Sequence, residues 1–180
     1  MSEDIRTRVA TPEDVPGLEA LIRRSVHGLQ AEHYDAGQRE AALGSVFGVD
    51  HRLIADGTYF VAQRGGALAG CGGWSFRAAM YGAHGPAESD GPRVNPRNGP
   101  ARVRAFFVDP DHARRGVGAA LLAASEAAAR AQGFTRAALS ATLAGEPFYV
   151  AHGYVSLARG VAELPGGGEL PIVHMEKVLA

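Results

Sequence analysis

The chain has 180 residues, a formal net charge of −1, and 46% apolar against 21% charged residues, a balance that fits a globular domain with a sizeable core. No apolar run approaches the roughly 18 residues of a membrane span, residues 1–8 lack the apolar centre of a signal peptide, and the single cysteine, Cys71, excludes an intramolecular disulfide and a cysteine-cluster zinc site. Near-neutral charge argues against a nucleic-acid binder held by a positive field, so the expectation is a cytoplasmic protein that engages neither nucleic acid nor membrane.

In chain order, residues 5–9 alternate apolar and polar side chains and predict a short strand. Thr11-Pro12-Glu13-Asp14 is a helix start, with a hydroxyl at the cap, proline in the first turn and an acid three residues on. Val15, Leu18, Leu21, Ile22, Val26 and Leu29 then follow at helical spacing and predict a helix over 12–29; a second runs over 36–46 after Asp35. The β-forming run 58–62 and the apolar run 67–76 flank Gly65-Gly66 and read as a hairpin. Residues 77–100 carry Gly, Pro and Asn without periodicity and read as a long loop. Order returns with a strand over 101–108 closed by Asp109-Pro110. A long Ala-rich helix opens at Gly116-Val117-Gly118 and is capped by Gly133. A strand over 134–140, a short helix over 145–152 and a hairpin of 154–159 with 170–179 complete an α/β (α+β) domain with a mixed sheet over residues 1–180.

The richest chemistry lies in Asp109-Pro110-Asp111-His112-Ala113-Arg114-Arg115-Gly116-Val117-Gly118-Ala119. A helix N-terminus leaves backbone N–H groups unpaired and favours an anion. Two glycines clear the approach to that backbone, and two arginines add charge. The segment therefore reads as a pyrophosphate cradle, or else as an ordinary tight turn whose glycines serve packing. It is not a P-loop, because Ala119 and Ala120 stand where Lys and Ser/Thr belong, and two glycines do not make the dinucleotide fingerprint. Of the 18 basic residues only Lys177 is lysine, a bias typical of GC-rich bacterial coding, and arginine suits bidentate phosphate contacts. The seven histidines show no metal-ligand spacing.

The segment resembles motif A of the GNAT (GCN5-related N-acetyltransferase) superfamily, Gln/Arg-x-x-Gly-x-Gly/Ala. Arg115-Gly116-Val117-Gly118 match its last four positions, and Ala113 stands at its first. Downstream, Phe148-Tyr149-Val150-Ala151-His152-Gly153-Tyr154 is similar to the family's Phe-Tyr-x-x-x-Gly-Phe ending. The resemblance implies a mostly antiparallel sheet of about seven strands flanked by about four helices. It also implies acetyl-CoA as acyl donor, without a metal, and N-acetylation of a primary amine. Phe106, Phe107, Val108, Ala113, Arg114, Arg115, Gly116, Val117, Gly118, Ala119 and Thr142 would bind the donor, and Tyr149 would protonate the departing thiolate. Thr142 stands where many members carry Asn, and Arg102 stands where some carry a glutamate base, leaving Glu146, His152, His84, Glu88 and Asp90 as base candidates. A non-catalytic acyl-CoA-binding sensor on the same fold is the alternative.

The remaining expectations concern the acceptor and packing. Cys71 reads as packing, and Trp74 and Phe76 as core or acceptor wall. His33 and Tyr34 stand in the region that lines the acceptor site in the family. Glu32, Asp35, Glu88 and Asp90 hint at a cationic acceptor, either a small molecule or a peptide, and a homodimer is the default assembly.

Overall fold

The computed structural model describes residues 4–80 and 90–180, so the loop candidates His84 and Glu88 lie outside the described residues. Strand β1 (Ile5–Val9) leads into a 3-10 turn (Pro12–Asp14) and helix α1 (Val15–Leu29). The Asp14 carboxylate accepts the Thr11 amide at 2.8 Å, so the helix starts where Thr11-Pro12 predicts. Helix α2 (Ala36–Ala42) is capped by Asp35 and is shorter than the predicted 36–46. Leu43 leaves the helix with ψ 126° and Gly44 turns left-handed at φ 82°, so the apolar spacing of Val46 and Phe47 continues in a turn. Helix α3 (His51–Asp56) was not expected. Six residues show no period, although its cap Asp50 and its left-handed terminal Gly57 are both helix-boundary residue types.

Strands β2 (Tyr59–Arg64) and β3 (Ala67–Ser75) form the predicted hairpin, with Gly65 and Gly66 at positive φ. Strand β4 (Ala101–Val108) passes through a 3-10 turn (Pro110–His112) to α4 (Val117–Ala131). Strand β5 (Arg136–Thr142) starts two residues later than predicted, because the Phe134 amide closes α4 on Ala129 and the ring enters the core beside Trp74. Helix α5 (Glu146–Ala151) and the hairpin of β6 (Val155–Glu163) with β7 (Glu169–Val178) complete the chain.

The seven strands form one sheet in the order β1-β2-β3-β4-β5-β7-β6. Every neighbouring pair is antiparallel except β4 and β5, which are parallel and joined only at Ala101 and Arg102 against Ala137 and Ala138. Past those residues the two strands separate, which opens the middle of the sheet. Helices α1 and α4 cover opposite faces: adjacent Val61 and Ala62 of β2 pack with α1 residues and with Leu121 of α4, respectively. A β-carbon on Gly70 would stand 2.7 Å from Val117 Cγ1, so β3 carries glycine where α4 lies closest.

Strand β4 reverses its faces halfway along. Val103 packs on the α4 side and Phe107 on the α1 side, although even spacing along a regular strand would place them together. The reversal sits at Ala105, whose φ is 61°, beside a register shift against β3. Three contacts hold it. The Tyr59 hydroxyl donates to the Ala105 carbonyl at 3.1 Å, the Phe106 ring fills the space a β-carbon on Gly72 would take, and the Arg104 side chain is anchored in buried carboxylates.

Candidate functional site

The gap between β4 and β5 is the floor of a cavity of about 840 Å³. Its walls come from β4 (Arg104, Ala105, Phe106, Phe107, Val108), the start of α4, the end of β5, and α5 with its preceding turn. Of the residues the sequence singles out for acetyl-CoA, Phe106, Phe107, Val108, Ala113, Arg114, Gly116, Val117, Gly118, Ala119 and Thr142 line it, as does Tyr149. Arg115 does not line the wall and points to solvent.

At one end stands the turn before α4. Arg114 and Gly116 both adopt left-handed backbone, at φ 60° and 86°, with Ala113 extended before them. The first amide to find a partner is that of Ala120, which donates to Gly116 at 3.0 Å; the amides of residues 114–119 have no acceptor among the described residues. A concave run of free N–H groups at a helix N-terminus is a site for an anionic oxygen cluster. Gly116 is favoured by its φ, and space is tight at Gly118, where a β-carbon would stand 3.2 Å from the Phe148 ring. The exposed Arg114 guanidinium is available to add charge, and a pyrophosphate therefore fits this end.

Tyr149 stands on the α4 side. Its ring packs edge-on to Phe106, Phe148 and Tyr154 at centroid distances of 6.3, 5.0 and 5.6 Å. Its hydroxyl has no hydrogen-bond partner among the described residues, and burial pushes the phenol pKa well above the ordinary tyrosine value. The group is therefore neutral, proton-bearing and unengaged at neutral pH. Thr142 lines the cavity with its Oγ1 accepting the Gly145 amide at 3.0 Å, which leaves its own proton to donate.

The base candidates separate clearly. Asp90 is consumed: its oxygens pair with Arg52 at 2.9 Å and with Arg104 at 3.1 Å. Glu146 is held by Ser156 at 2.8 Å and Arg159 at 3.1 Å and does not line the cavity. His152 lines it, with Nδ1 on the Phe148 carbonyl at 2.7 Å, an arrangement that needs a proton on Nδ1 and leaves Nε2 as the acceptor. Its ring rests on Phe148, the residue over Gly118, which puts it at the cradle end.

Several acceptor expectations resolve into packing. Trp74 is 2% exposed and meets Phe76 and Phe134 edge-on, and neither Trp74 nor Phe76 reaches the cavity. The buried Tyr34 hydroxyl donates to Pro171 and accepts from the Leu143 amide, pinning the segment after α1 to the sheet, while His33 is exposed. Cys71 is fully buried, and burial raises its thiol pKa to about 12. Sequence reasoning missed Ser140, Ala144 and Pro147, which follow from the strand separation. It also missed Ser25, Leu29 and Gln30 of the α1 segment and Val46 and Phe47, which carry no local signal. Among the described residues no group of His, Cys, Asp and Glu is placed to hold a metal, and no helix is long and apolar enough to cross a membrane.

Comparison with known proteins bears on the family and the fold. The acetyltransferase (GNAT) domain family matches residues 55–156, from the end of α3 to the start of β6. No curated protein is significantly similar in sequence. Among solved structures, a GCN5-related N-acetyltransferase from Rhodopseudomonas palustris is 23% identical, with 99% of this chain and 97% of that chain covered and a TM-score of 0.72. The PaiA N-acetyltransferase of Thermoplasma acidophilum, solved with coenzyme A, is 16% identical over 97% and 99% of the two chains, with a TM-score of 0.66. YncA of Salmonella typhimurium, solved with acetyl-CoA, is 16% identical over 98% and 95%, with a TM-score of 0.63.

Proposed function

The chain belongs to the GNAT acetyltransferase family, and on that footing we propose that it transfers the acetyl group of acetyl-CoA to a primary amine, with Tyr149 as the general acid. The run of unpartnered amides at residues 114–119, set at the mouth of the cavity, is the single observation that carries this reading. Those amides and Arg114 would hold the pyrophosphate. The edge of β4 that faces the gap, free of β5 beyond Arg102, would receive the extended arm through its own N–H and C=O groups. Coenzyme A or acetyl-CoA in the two structural relatives supports the choice of donor.

Bound acetyl-CoA would supply a thioester carbonyl, at which a neutral amine forms the C–N bond as the C–S bond breaks; the thiolate takes the Tyr149 proton, and the proton lost by the nitrogen passes to solvent or back to the tyrosine oxygen. The residues of this chain do the rest by placement. Holding the two reactants together removes up to roughly 7–11 kcal/mol of barrier in well-oriented cases. The Tyr149 hydroxyl keeps its proton because burial raises its pKa, and the same desolvation raises the basicity of a thiolate formed beside it. Proton donation of that kind contributes about 10²–10⁴-fold. The Phe106 ring shields the phenol from water on one side.

Two measurements test the proposal. Thermal unfolding with about 1 mM acetyl-CoA should raise Tm by roughly 5–10 °C if the ligand stands near 100 times its Kd, with ATP and NADH as controls. Release of free CoA thiol in the presence of an amine panel should then follow. A shift without turnover by any amine would mark the chain as an acyl-CoA-binding module, and no shift would refute the cradle.

A further inference from the structure

The cavity has a second lobe on the α1 side of the sheet, and its chemistry differs from that of the cradle. It is walled by Leu29, Val46, Phe47 and Ile172, with Ser25 and Gln30 of the α1 segment as its polar residues. Gln30 is 6% exposed, and its carboxamide oxygen is buried with no hydrogen-bond partner among the described residues. Its backbone, by contrast, is fully engaged: the amide donates to Val26 at 3.3 Å, and the carbonyl accepts from His33 at 3.1 Å and Tyr34 at 3.0 Å. The side chain is thus anchored at a helix end with its hydrogen-bonding capacity unspent. A buried carboxamide in that state is unfavourable unless something completes it.

The charges of the lobe are equally specific. Among the described residues, no Asp or Glu lines any part of the cavity. Of the four acids that hinted at a cationic acceptor, Asp35 caps α2, Glu32 is exposed and Asp90 is locked between Arg52 and Arg104, while Glu88 lies outside the described residues. Arg104, the charged residue of β4 in the wall, is itself neutralised by Asp50 and Asp90. Among the described residues, a second positive charge carried into this lobe would meet no counter-ion, a costly arrangement once it is desolvated.

We propose that the α1-side lobe takes the acceptor, and that the acceptor is a monoamine on an apolar body bearing a neutral amide, of the kind presented by an apolar amino-acid amide or peptide N-terminus, read by the Gln30 carboxamide. This rests on the acetyltransferase reading for the same cavity and adds the substrate class to it. Leu29, Phe47 and Ile172 hold the apolar body, and Gln30 is the specificity-determining contact.

The matched probes are L-leucinamide and L-lysinamide, which share the amide and the reacting amine and differ by one extra charge, with spermidine as a polycation. With acetyl-CoA, kcat/KM for leucinamide should exceed that for lysinamide by roughly tenfold or more. Gln30→Leu should raise KM for leucinamide by about tenfold with kcat within about twofold, and should not lower Tm. Calorimetric titration of both amides into the protein saturated with CoA reads the lobe without chemistry, and should give the same ranking. Lysinamide or spermidine as the better ligand, absence of binding by leucinamide, or an unchanged KM in Gln30→Leu would each overturn the inference. Leucinamide binding with no turnover of any amine would overturn the transferase reading and leave this one standing; turnover with the opposite ranking would do the reverse.

Discussion

The Phe148 ring lies 3.2 Å from where a β-carbon on Gly118 would stand, so the second glycine of the cradle is closed against a side chain of α5 as well as open toward a ligand. A methyl group there must displace the ring by a few tenths of an ångström. Gly118→Ala should therefore fold and bind acetyl-CoA more weakly, by roughly tenfold for a loss near 1.4 kcal/mol. Gly118→Asp adds a carboxylate among the free amides, where it would satisfy them itself and repel phosphate. It should abolish measurable binding, with a Tm no further below wild type than that of Gly118→Ala, since both meet Phe148 with the same β-carbon. Titration calorimetry with CoA and a melting curve check both, and normal CoA affinity in Gly118→Asp would misplace the cradle.

Tyr149→Phe removes an oxygen that no protein group uses, so stability should change little. The rate should not escape so lightly. With an acceptor that turns over, kcat should fall by about 10²–10⁴-fold with little change in KM. The sign of the pH effect follows from the raised pKa. A general acid works while protonated, so the fall in rate on the alkaline side should lie above the pH at which a free tyrosine ionises, near 10. A pH–rate profile in which Tyr149→Phe keeps full activity throughout would remove the residue from the mechanism.

The parts of this architecture that local chemistry dictates are legible in the sequence. Thr11-Pro12 marks a helix start, Gly65-Gly66 a hairpin, and Gly116 and Gly118 an open N-terminus, because each depends on a few neighbouring residues. The Phe148-Tyr149 pair is readable only through its likeness to a family; by itself it is two aromatics on a short helix. What is not legible depends on contacts distant in the chain. Nothing around Ala105 announces a left-handed residue in a strand, because the hydroxyl, the ring pocket and the ion pairs that hold it come from Tyr59, Gly72, Asp50 and Asp90. Gln30 looks like any polar residue near a helix end, and its missing partner exists only once α1 is laid across the opened sheet.

Arg104, with its side chain 1% exposed, sits 2.8 Å from Asp50 and 3.1 Å from Asp90 and also donates to the Ala79 carbonyl at 3.1 Å. Burial pushes the Asp50 carboxyl above its ordinary pKa, and Arg104 is the main force holding it down. Arg104→Met leaves the buried Asp50 carboxylate without its cation, while Asp90 keeps Arg52, and should cost about 3–5 kcal/mol at pH 7. Without the arginine the Asp50 pKa rises further, so the folded variant binds a proton that its unfolded chain gives up between pH ~4 and that raised value. Stability lost by the substitution should thus be partly regained as pH falls from 7 to 5. Urea unfolding at pH 5, 6 and 7 checks this, and an equal loss at all three would mean that the carboxylates are not what the arginine stabilises.

At the start of the fold the sign reverses. Asp14 accepts two bonds from Arg8 at 2.8 Å each and one from the Thr11 amide at 2.8 Å. The Arg8 guanidinium is the largest cause holding its pKa down to about 2, from 3.8. A carboxyl depressed in the folded state stabilises it above the unfolded pKa, and that stability fades as pH falls through the folded value. The pair ties β1 to the turn before α1, at a site where Arg8 is 42% exposed, so its worth is that of a well-aligned surface pair. Asp14→Asn should lower Tm at pH 7 by roughly 1–4 °C. The difference should persist down to pH ~4, shrink between 4 and 2, and close below 2, where both chains carry a neutral side chain. Melting curves of the two proteins at pH 7, 4, 3 and 2 decide it: a gap that stays constant to pH 2 would trace the loss to the helix cap geometry instead of the charge.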